Sequence, residues 1–282
     1  MNEEIENLIN ITIAEDIRSG DITSFACVSE HSVTSGKFLL KQAGVIAGLP
    51  FIEILFKKID PRIEITPLVD EGSFHKSGTY IAKITGPARG ILTAERIVLN
   101  LLQHASGVAS ITNAYVRKVA GLECAILDTR KTLPGLRALE KYAVVAGGGK
   151  NHRHGLDDRF IIKTNHLAFI SPRASNPITQ AVEKAYAYNP KLPIEIEIAD
   201  INDLDEALKT RAASIMLIGM LPEEAKVCIK KGKTSNKKIY IESGGTITLD
   251  TVRAYAETGV NGISVGELTH SVHALDIRMR LT

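Results

Sequence analysis

Residues 125–163 read AILDTRKTLPGLRALEKYAVVAGGGKNHRHGLDDRFIIK. Short apolar runs lie near the two ends of this stretch, an amphipathic segment lies between them, and charged residues follow each run. The same alternation continues to residue 265 and predicts the strands Ala125–Leu127, Phe160–Ile162, Ile194–Ile198, Ser214–Leu217, Ile239–Ile241 and Gly262–Val265. Such repetition is typical of parallel strands joined by right-handed crossovers, arranged as a barrel or as an open sheet.

The first hundred residues follow a different pattern. They combine a short amphipathic helix with strands expected at Lys37–Lys41 and Tyr80–Ile84, which is typical of an α+β module. A long helical pattern then covers residues 91–119, and Gly107 within it is expected to mark a bend or a break between two helices. The final segment, Thr269–Thr282, is long enough to pack back on this N-terminal module.

Composition indicates an ordinary globular protein. With 282 residues, 44% of them hydrophobic, the chain suits one large α/β barrel or two modest domains. Its apolar runs end well before the ~20 residues that a membrane span needs, and it opens with acidic residues instead of a basic targeting segment. We therefore expect a cytoplasmic protein with no membrane partner. Cys27, Cys124 and Cys228 form no C-x-x-C pair, which indicates free thiols and argues against disulfides or a zinc ribbon.

Positive charge is concentrated between residues 128 and 166. This segment contains eight lysine or arginine residues and four acidic residues, a net charge of +4, whereas the whole chain carries only +2. The chain lacks the basic runs and aromatic ladders that are typical of nucleic-acid-binding proteins. The local excess of cations therefore predicts a pocket for a small polyanion, and no nucleic-acid partner.

Most candidate functional residues lie at the carboxyl ends of the predicted strands, at the edge where the active sites of (β/α) barrels lie. They are Asp128, Arg130, Lys131, Lys163, Glu197, Glu242, Ser243 and Gly266. Glu195 and Glu197 alternate with isoleucines in one strand, so one of them is expected to face the barrel interior or its rim. Because a buried carboxylate is unfavourable without a partner, we expect a cation or a hydroxyl group beside it.

Several of these features also have simpler interpretations. Arg130 and Lys131 fit a solvated loop, and His152 fits a structural histidine, although their coincidence with Arg153 and Lys163 favours a site. A barrel aldolase with Lys163 or Lys131 as its Schiff-base nucleophile is a further alternative, which the neighbouring cations disfavour.

Glycine clusters are candidates for phosphate binding. Gly147–Gly149 match no phosphate-binding fingerprint and fit a simple connection between a helix and a strand. Gly244 and Gly245, with Gly266 after the next strand, are better placed, because late-strand loops of barrels commonly bind phosphate through backbone N–H groups.

Longer motifs span nearly the whole chain. They are ED-x-x-x-GDIT at 15–23, LTAER-x-x-LN-x-LQ-x-x-SG at 92–107, DTRKTLPGLRALEKYAV at 128–144, GGG-x-NHR-x-GL-x-D at 147–158, IK-x-NH at 162–166 and YAETGV-x-x-ISVG-x-LTHSV-x-ALDI at 255–277. Together these motifs resemble those of the quinolinate phosphoribosyltransferase family, the carboxylating nicotinate-nucleotide pyrophosphorylases of NAD biosynthesis.

The resemblance implies an α/β fold with an incomplete (β/α) barrel and an N-terminal α+β sandwich domain. The sandwich is expected to comprise residues 1–112 plus 270–282, and the barrel, which is the phosphoribosyltransferase domain, residues 113–269. The resemblance further implies a homodimer or a hexamer, in which the N-terminal domain of a neighbouring subunit completes each site.

The activity implied by the resemblance is transfer of phosphoribosyl from PRPP, with Mg²⁺, to quinolinate, which yields nicotinate mononucleotide, pyrophosphate and carbon dioxide. The quinolinate-binding residues carried over from the family are Arg96 of the neighbouring subunit, Arg130, His152, Arg153 and Lys163. The PRPP-binding residues carried over are Lys131, Glu197, Ser243, Gly244, Gly245 and Gly266, and the catalytic residues are Lys131, Lys163 and Glu197. Metal ligands are left unassigned.

The chain departs from the family pattern on the PRPP side. Ile218 and Gly219 stand where an Asp-Asn pair is usual, Gly244 stands where a gap-free match to E-x-S-G-G expects serine, and Glu267 stands where a small residue is usual. A missing carboxylate and an added negative charge leave an alternative open. In that alternative the chain is a paralogue that binds a pyridine carboxylate and has weak or no transferase activity.

Overall fold

The computed structural model of the chain describes residues 3–170, 176–235 and 238–282. The chain forms two compact units. The first contains Met1–Asn113, Thr132–Gly149 and Leu268–Thr282, and the second contains Ala114–Lys131 and Lys150–Glu267. The domain boundaries expected from the sequence stay a prediction. No helix in the described ranges combines the length with the apolar surface that a membrane crossing requires.

The helices are α1 (Glu3–Ile17), α2 (Ile22–Cys27), α3 (Leu49–Ile59), α4 (Ala88–Lys118), α5 (Arg137–Ala146), α6 (Thr164–Leu167), α7 (Pro177–Tyr188), α8 (Leu204–Lys209), α9 (Pro222–Thr234), α10 (Val252–Glu257) and α11 (Glu267–His270), with a 3-10 turn at Ile201–Asp203. The strands are β1 (Val33–Leu40), β2 (Gly44–Val45), β3 (Glu64–Pro67), β4 (Phe74–His75), β5 (Tyr80–Pro87), β6 (Ala125–Leu127), β7 (Phe160–Ile162), β8 (Ile194–Ile198), β9 (Ser214–Ile218), β10 (Tyr240–Gly244), β11 (Gly262–Ser264) and β12 (Ile277–Leu281).

In the first unit, four antiparallel strands form a sheet in the order β12-β1-β5-β3. The two strands that the sequence predicts in this part are present as β1 and β5. The last strand of the chain, β12, pairs along β1 with Leu40 opposite Ile277, so the C-terminal segment completes this sheet as expected. On the buried face, Phe38 of β1 packs edge-on against Phe56 of α3.

In the second unit, six parallel strands form a sheet in the order β6-β11-β10-β9-β8-β7. From β7 to β11 each strand lies beside the next one in the chain, and β6 lies beside β11. This is the strand order of a (β/α) barrel that stays open between β6 and β7, for which no pairing is found in the described part of the chain. The incomplete barrel expected from the sequence is therefore confirmed, and β6, β7 and β8 have the predicted bounds.

Among the strands of the second sheet, β10 differs most from its prediction, because it starts one residue later and ends three residues later than expected. The sequence places the polar residues Glu242 and Ser243 after the strand, but the structure buries both within it, each at 1% exposure. Burial of Glu242 is possible because the hydroxyl of Ser264 on the neighbouring strand donates a hydrogen bond of 2.6 Å to its carboxylate. A polar pair at a strand end therefore does not mark a loop here.

The expected break at Gly107 is wrong, because α4 continues without interruption from Ala88 to Lys118. A Cβ atom at position 107 would lie 2.4 Å from the carbonyl oxygen of His273. Glycine is therefore needed for the close approach of the C-terminal segment to this helix.

The carboxyl ends of the parallel strands lie side by side at one edge of the second sheet. The register pairs Ile198 with Leu217, Ile218 with Gly244, and Gly244 with Ser264. Residues that follow different strands, and that are far apart in the sequence, therefore meet at this edge.

Candidate active site

A cavity of about 310 Å³ lies at the carboxyl edge of the second sheet. Its lining combines four lysine or arginine side chains, a histidine and two carboxylates with hydroxyl groups, apolar residues and glycines: Asp128, Thr129, Arg130, Lys131, His152, Arg153, Ile161, Lys163, Glu197, Met216, Ile218, Gly244, Gly245, Ser264 and Gly266. A second cavity of about 360 Å³ shares Arg130, Arg153, Ile161 and Lys163 with the first and is otherwise lined by Leu156, Arg159, Phe160 and His166.

Nearly all the site residues predicted in the barrel line this cavity. Lys131, Lys163, Glu197, Arg130, His152, Arg153, Gly244, Gly245 and Gly266 are brought together there. Ser243 is not, because strand alternation turns it to the other face of β10, where its Oγ is buried without a hydrogen-bond partner among the described residues. Arg96 is exposed on α4 in the first unit, and its role stays a prediction.

Asp128 brings the two arginines to the same edge. It is fully buried directly after β6, and its Oδ1 accepts a hydrogen bond of 2.8 Å from the backbone N–H of His152. Its own N–H donates to the carbonyl of Lys150, so residues 150–152 are held alongside the end of β6. As a result, Arg130 and Arg153 line the cavity together although 22 residues lie between them.

The two guanidinium groups are electrostatically unfavourable without an anion. Burial lowers the pKa of Arg153, and the nearby charge of Arg130 lowers it further. In addition, Nε of Arg130 is buried and has no hydrogen-bond partner among the described residues. A buried donor of this kind is unfavourable, so an anionic ligand that accepts from Arg130 would stabilise the site.

A buried charged cluster forms the floor of the cavity. His152 Nε2 lies 3.1 Å from Glu195 Oε2 and 3.4 Å from Glu242 Oε1, and its side chain is only 5% exposed. Burial lowers the pKa of His152, but the two carboxylates outweigh burial and raise the pKa to about 9. Nη1 of Arg159 lies 3.5 Å from Glu195 and adds further positive charge.

Two contacts compete for the protonation state of this histidine. The backbone N–H of Arg153 points at His152 Nδ1 over 2.8 Å, which suits a neutral ring. The carboxylates at Nε2 favour the imidazolium, and they dominate because contacts between charged partners are roughly twice as strong as neutral hydrogen bonds.

The cluster also offers ligand atoms from His152, Glu195 and Glu242 within 4.8 Å of one another, as a metal site would. The imidazolium and the guanidinium of Arg159 already supply the positive charge that a metal ion would bring. The arrangement is therefore better described as an ion-pair network.

Lys163 and Glu197 form the rim of the cavity. Lys163 lies between β7 and α6 as the N-cap residue of the helix, and its Nζ donates to Glu197 Oε2 over 2.5 Å. Glu195 and Glu197 lie on the same face of β8, with Glu195 fully buried and Glu197 nearer the opening. The expectation that a carboxylate of this strand faces inward beside a cation is confirmed for both residues.

The glycine loops after β9 and β10 approach each other backbone to backbone. Gly219 donates to the carbonyl of Gly244 over 3.3 Å, and both Gly219 (φ +70°) and Gly245 (φ +121°) have left-handed backbones that favour glycine. Gly245 and Thr246 are exposed, and their N–H groups donate to no other described residue. These N–H groups are available to an anion.

The departures at positions 218 and 244 are in direct contact. Ile218 lines the cavity, and a Cβ atom on Gly244 would lie 2.9 Å from its Cδ1. The isoleucine occupies the space that a side chain at 244 requires. With Met216 and Ile161 it gives the cavity an apolar wall.

Glu267 does not line the cavity. Its carboxylate instead accepts a hydrogen bond from the hydroxyl of Tyr115, which is fully buried on α4. The same hydroxyl lies 3.3 Å from the carbonyl oxygen of Ile247.

Part of the cavity lining is not among the site residues predicted from the sequence. Side-chain alternation along β9 would predict that Met216 also lines the cavity, since it lies on the same face of the strand as Ile218. Arg159 gave no such signal, because it precedes β7 instead of following it, and its position depends on the fold of residues 150–159.

Comparison with known proteins covers both parts of the chain. Residues 21–106 match the family described as quinolinate phosphoribosyl transferase, N-terminal domain, and residues 108–280 match the corresponding C-terminal domain. A carboxylating nicotinate-nucleotide pyrophosphorylase of Mycobacterium leprae is 38% identical over 276 residues, which cover 97% of this chain and 95% of the relative. A probable enzyme of that name from Bacillus subtilis is 40% identical over 280 residues, 99% of this chain and 94% of the relative.

Solved structures show the same likeness. The structure of NadC from Streptococcus pyogenes superposes with a TM-score of 0.92 at 34% identity, covering 99% of this chain and 96% of the other. The nicotinate-nucleotide pyrophosphorylase of Francisella tularensis gives a TM-score of 0.91 at 33% identity, covering 100% and 97%.

Proposed function

Because the chain belongs to the quinolinate phosphoribosyltransferase family, we propose that it transfers phosphoribosyl from PRPP to the ring nitrogen of quinolinate. The products are nicotinate mononucleotide, pyrophosphate and carbon dioxide, in NAD biosynthesis. The observation that carries the proposal is the convergence of Arg130, Lys131, Arg153 and Lys163 on one cavity. A small aromatic diacid and a phosphorylated sugar are anions that suit such a cavity.

Quinolinate is assigned to the wall that the two cavities share, where Arg130, Arg153 and Lys163 meet Ile161. Planar guanidinium groups bind carboxylates through paired hydrogen bonds, and an aliphatic side chain suits the face of a pyridine ring. The unpartnered Nε of Arg130 supports this placement. A dianion between the two arginines would also relieve their mutual repulsion.

His152 acts from the floor of this site. Its Nε2 faces Glu195 and Glu242, and its Nδ1 faces the backbone of Arg153. We therefore assign it one role: as an imidazolium it contributes positive charge beneath the diacid.

PRPP is assigned to the side of the cavity that carries Lys131, Glu197 and the glycine loops. The unbonded N–H groups of Gly245 and Thr246 suit a phosphate, and Lys131 suits the diphosphate. Loss of pyrophosphate leaves positive charge on the ribosyl carbon, so catalysis rests on positioning and on charge stabilisation. Glu197, placed beside the ribose, is the carboxylate that stabilises this charge.

The residues present fit a Mg²⁺ ion that arrives with PRPP. Of the carboxylates lining the cavity, Asp128 already accepts from the backbone of His152, while Glu197 lies at the rim with Lys163. Ile218 supplies no oxygen ligand. Because Mg²⁺ takes most of its ligands from water and phosphate oxygens, Glu197 alone would suffice to hold it at the diphosphate. When bound, the ion neutralises charge on the leaving pyrophosphate.

Decarboxylation follows from the first step. Once the ring nitrogen carries the ribose it is cationic, and it stabilises the carbanion that forms as the adjacent carboxylate leaves as carbon dioxide. A proton from water then neutralises this carbanion and completes the product. Arg130, Arg153 and Lys163 hold the remaining carboxylate during this step.

We further propose a homodimer or hexamer, in which Arg96 of a neighbouring subunit reaches the quinolinate site. An exposed arginine on α4 supports this assignment. A cytoplasmic location stays a prediction.

The proposal is tested with purified protein, quinolinate, PRPP and Mg²⁺. Carbon dioxide release and formation of nicotinate mononucleotide are expected, and both should stop when PRPP is omitted. Quinolinate binding by calorimetry without any product would contradict the proposal and support the non-catalytic alternative. None of the relatives reported above carries a name that supports that alternative. Borohydride trapping of a carbonyl substrate on Lys163 or Lys131 would instead indicate the aldolase.

A further inference from the structure

We propose that Tyr115 is a positioning residue for the two glycine loops that contact PRPP, and that Glu267 is the anchor of its hydroxyl group. This inference rests on the proposed function, since it concerns the affinity of the same site for PRPP.

One buried hydroxyl group reaches both loops. Tyr115 is fully buried on α4, and its hydroxyl donates to Glu267 and lies 3.3 Å from the carbonyl oxygen of Ile247. Ile247 lies in the loop that starts with Gly245 after β10, and Glu267 directly follows Gly266. Both loops contribute glycines to the cavity.

These loops need an external anchor. Gly245 has a left-handed backbone, and its N–H and that of Thr246 make no hydrogen bond to another described residue. Glycine-rich backbone is the least restricted kind of chain, so its N–H groups bind an anion well only if the surroundings orient them in advance. The hydroxyl of Tyr115 supplies that constraint from α4, because it donates its proton to Glu267 and accepts from the backbone N–H of Leu249 in the loop after β10.

The charge balance supports the same role. Burial and the Glu267 carboxylate both raise the pKa of Tyr115, so the hydroxyl keeps its proton and remains a donor. The carboxylate of Glu267 is thereby engaged by Tyr115. Glu267 thus holds the loop in place by accepting the hydrogen bond from Tyr115, although its position in the sequence suggests that it would repel a phosphate.

The first experiment replaces the hydroxyl while keeping the ring. In Tyr115→Phe, the KM for PRPP is expected to rise about tenfold, whereas kcat and the Kd for quinolinate change less than about twofold. The matched control is Tyr142→Phe, which removes a similar bond of 3.0 Å from a half-buried hydroxyl to Glu71 in the first unit. An unchanged KM for PRPP in Tyr115→Phe would overturn the proposal.

The second experiment separates anchoring from charge. Glu267→Gln keeps an acceptor for the tyrosine hydroxyl, and Glu267→Ala removes it. Anchoring predicts a KM for PRPP that is raised about tenfold in the alanine variant and much less in the glutamine variant. If both variants lower the KM, the carboxylate repels the phosphate and the proposed anchor is wrong.

A third measurement needs no turnover. Amide hydrogen exchange of residues 244–248 and 264–268, without substrate, should be faster in Tyr115→Phe than in the unsubstituted protein and unchanged in Tyr142→Phe. Failure to form nicotinate mononucleotide would refute the proposed function but leave this measurement intact. Equal exchange in both proteins would overturn the positioning role of Tyr115 whatever the activity.

Discussion

Gly244→Ala should stabilise the protein only when Ile218 has lost its δ-methyl group. The added Cβ would lie 2.9 Å from Ile218 Cδ1, and the next atoms, Sδ and Cγ of Met216, are at 3.6 Å and 3.8 Å. Contacts of the latter length are ordinary, so Cδ1 is the single obstacle. Ile218→Val removes that atom and little else.

The magnitude follows from overpacking. Forcing a methyl group into filled space costs about 1–2 kcal/mol, and replacing a strand glycine returns roughly 0.5–1 kcal/mol of backbone entropy. Gly244→Ala is therefore expected to be destabilising or neutral in the presence of Ile218, and stabilising in the Ile218→Val background. The coupling free energy of the cycle should be about 1–2 kcal/mol.

Chemical denaturation of the four proteins measures this coupling. A parallel cycle with Gly232→Ala and Ile241→Val provides the comparator, because a Cβ on Gly232 would lie 2.5 Å from Ile241 Cδ1 and the next atom is 3.8 Å away. That cycle should show a coupling at least as large. Additive effects at 218 and 244, within about 0.3 kcal/mol, would refute the packing argument.

The remaining predictions concern charge. Arg130→Ala and Arg153→Ala should each weaken quinolinate binding by about 10- to 100-fold in calorimetry, because a bidentate contact is lost; Arg211→Ala, on an exposed pair with Glu183, is the control, and unchanged affinity in both site variants would contradict the assignment. The pKa of His152, raised from 6.5 to about 9, should give stability that is fully present below about pH 6.5 and is lost as pH rises through 9, on the order of 3 kcal/mol. Glu242→Gln removes one carboxylate and should shift this loss to lower pH in unfolding experiments, whereas identical pH profiles would exclude an imidazolium at the floor.

Local patterns in the sequence were sufficient to predict the strands of the barrel and the edge of the sheet that carries the site. Strand periodicity and the polar residue after each strand depend on near neighbours in the chain, so β6, β7 and β8 could be bounded correctly. Because parallel strands place their carboxyl ends at one edge, the sequence alone predicts that Lys163 and Glu197 lie in the same site.

Contacts between distant residues required the folded chain. Position 107 requires glycine because the carbonyl of His273 lies close to it, and position 244 has no room for a side chain because of Ile218. The carboxylate of Glu267 accepts a hydrogen bond from Tyr115, which lies 152 residues away in the sequence. Its charge therefore does not have the effect that its sequence neighbours suggest, which is repulsion of a phosphate. Such outcomes depend on packing distances of a few ångströms, and those distances are set by the assembly of all the elements, which no short segment encodes.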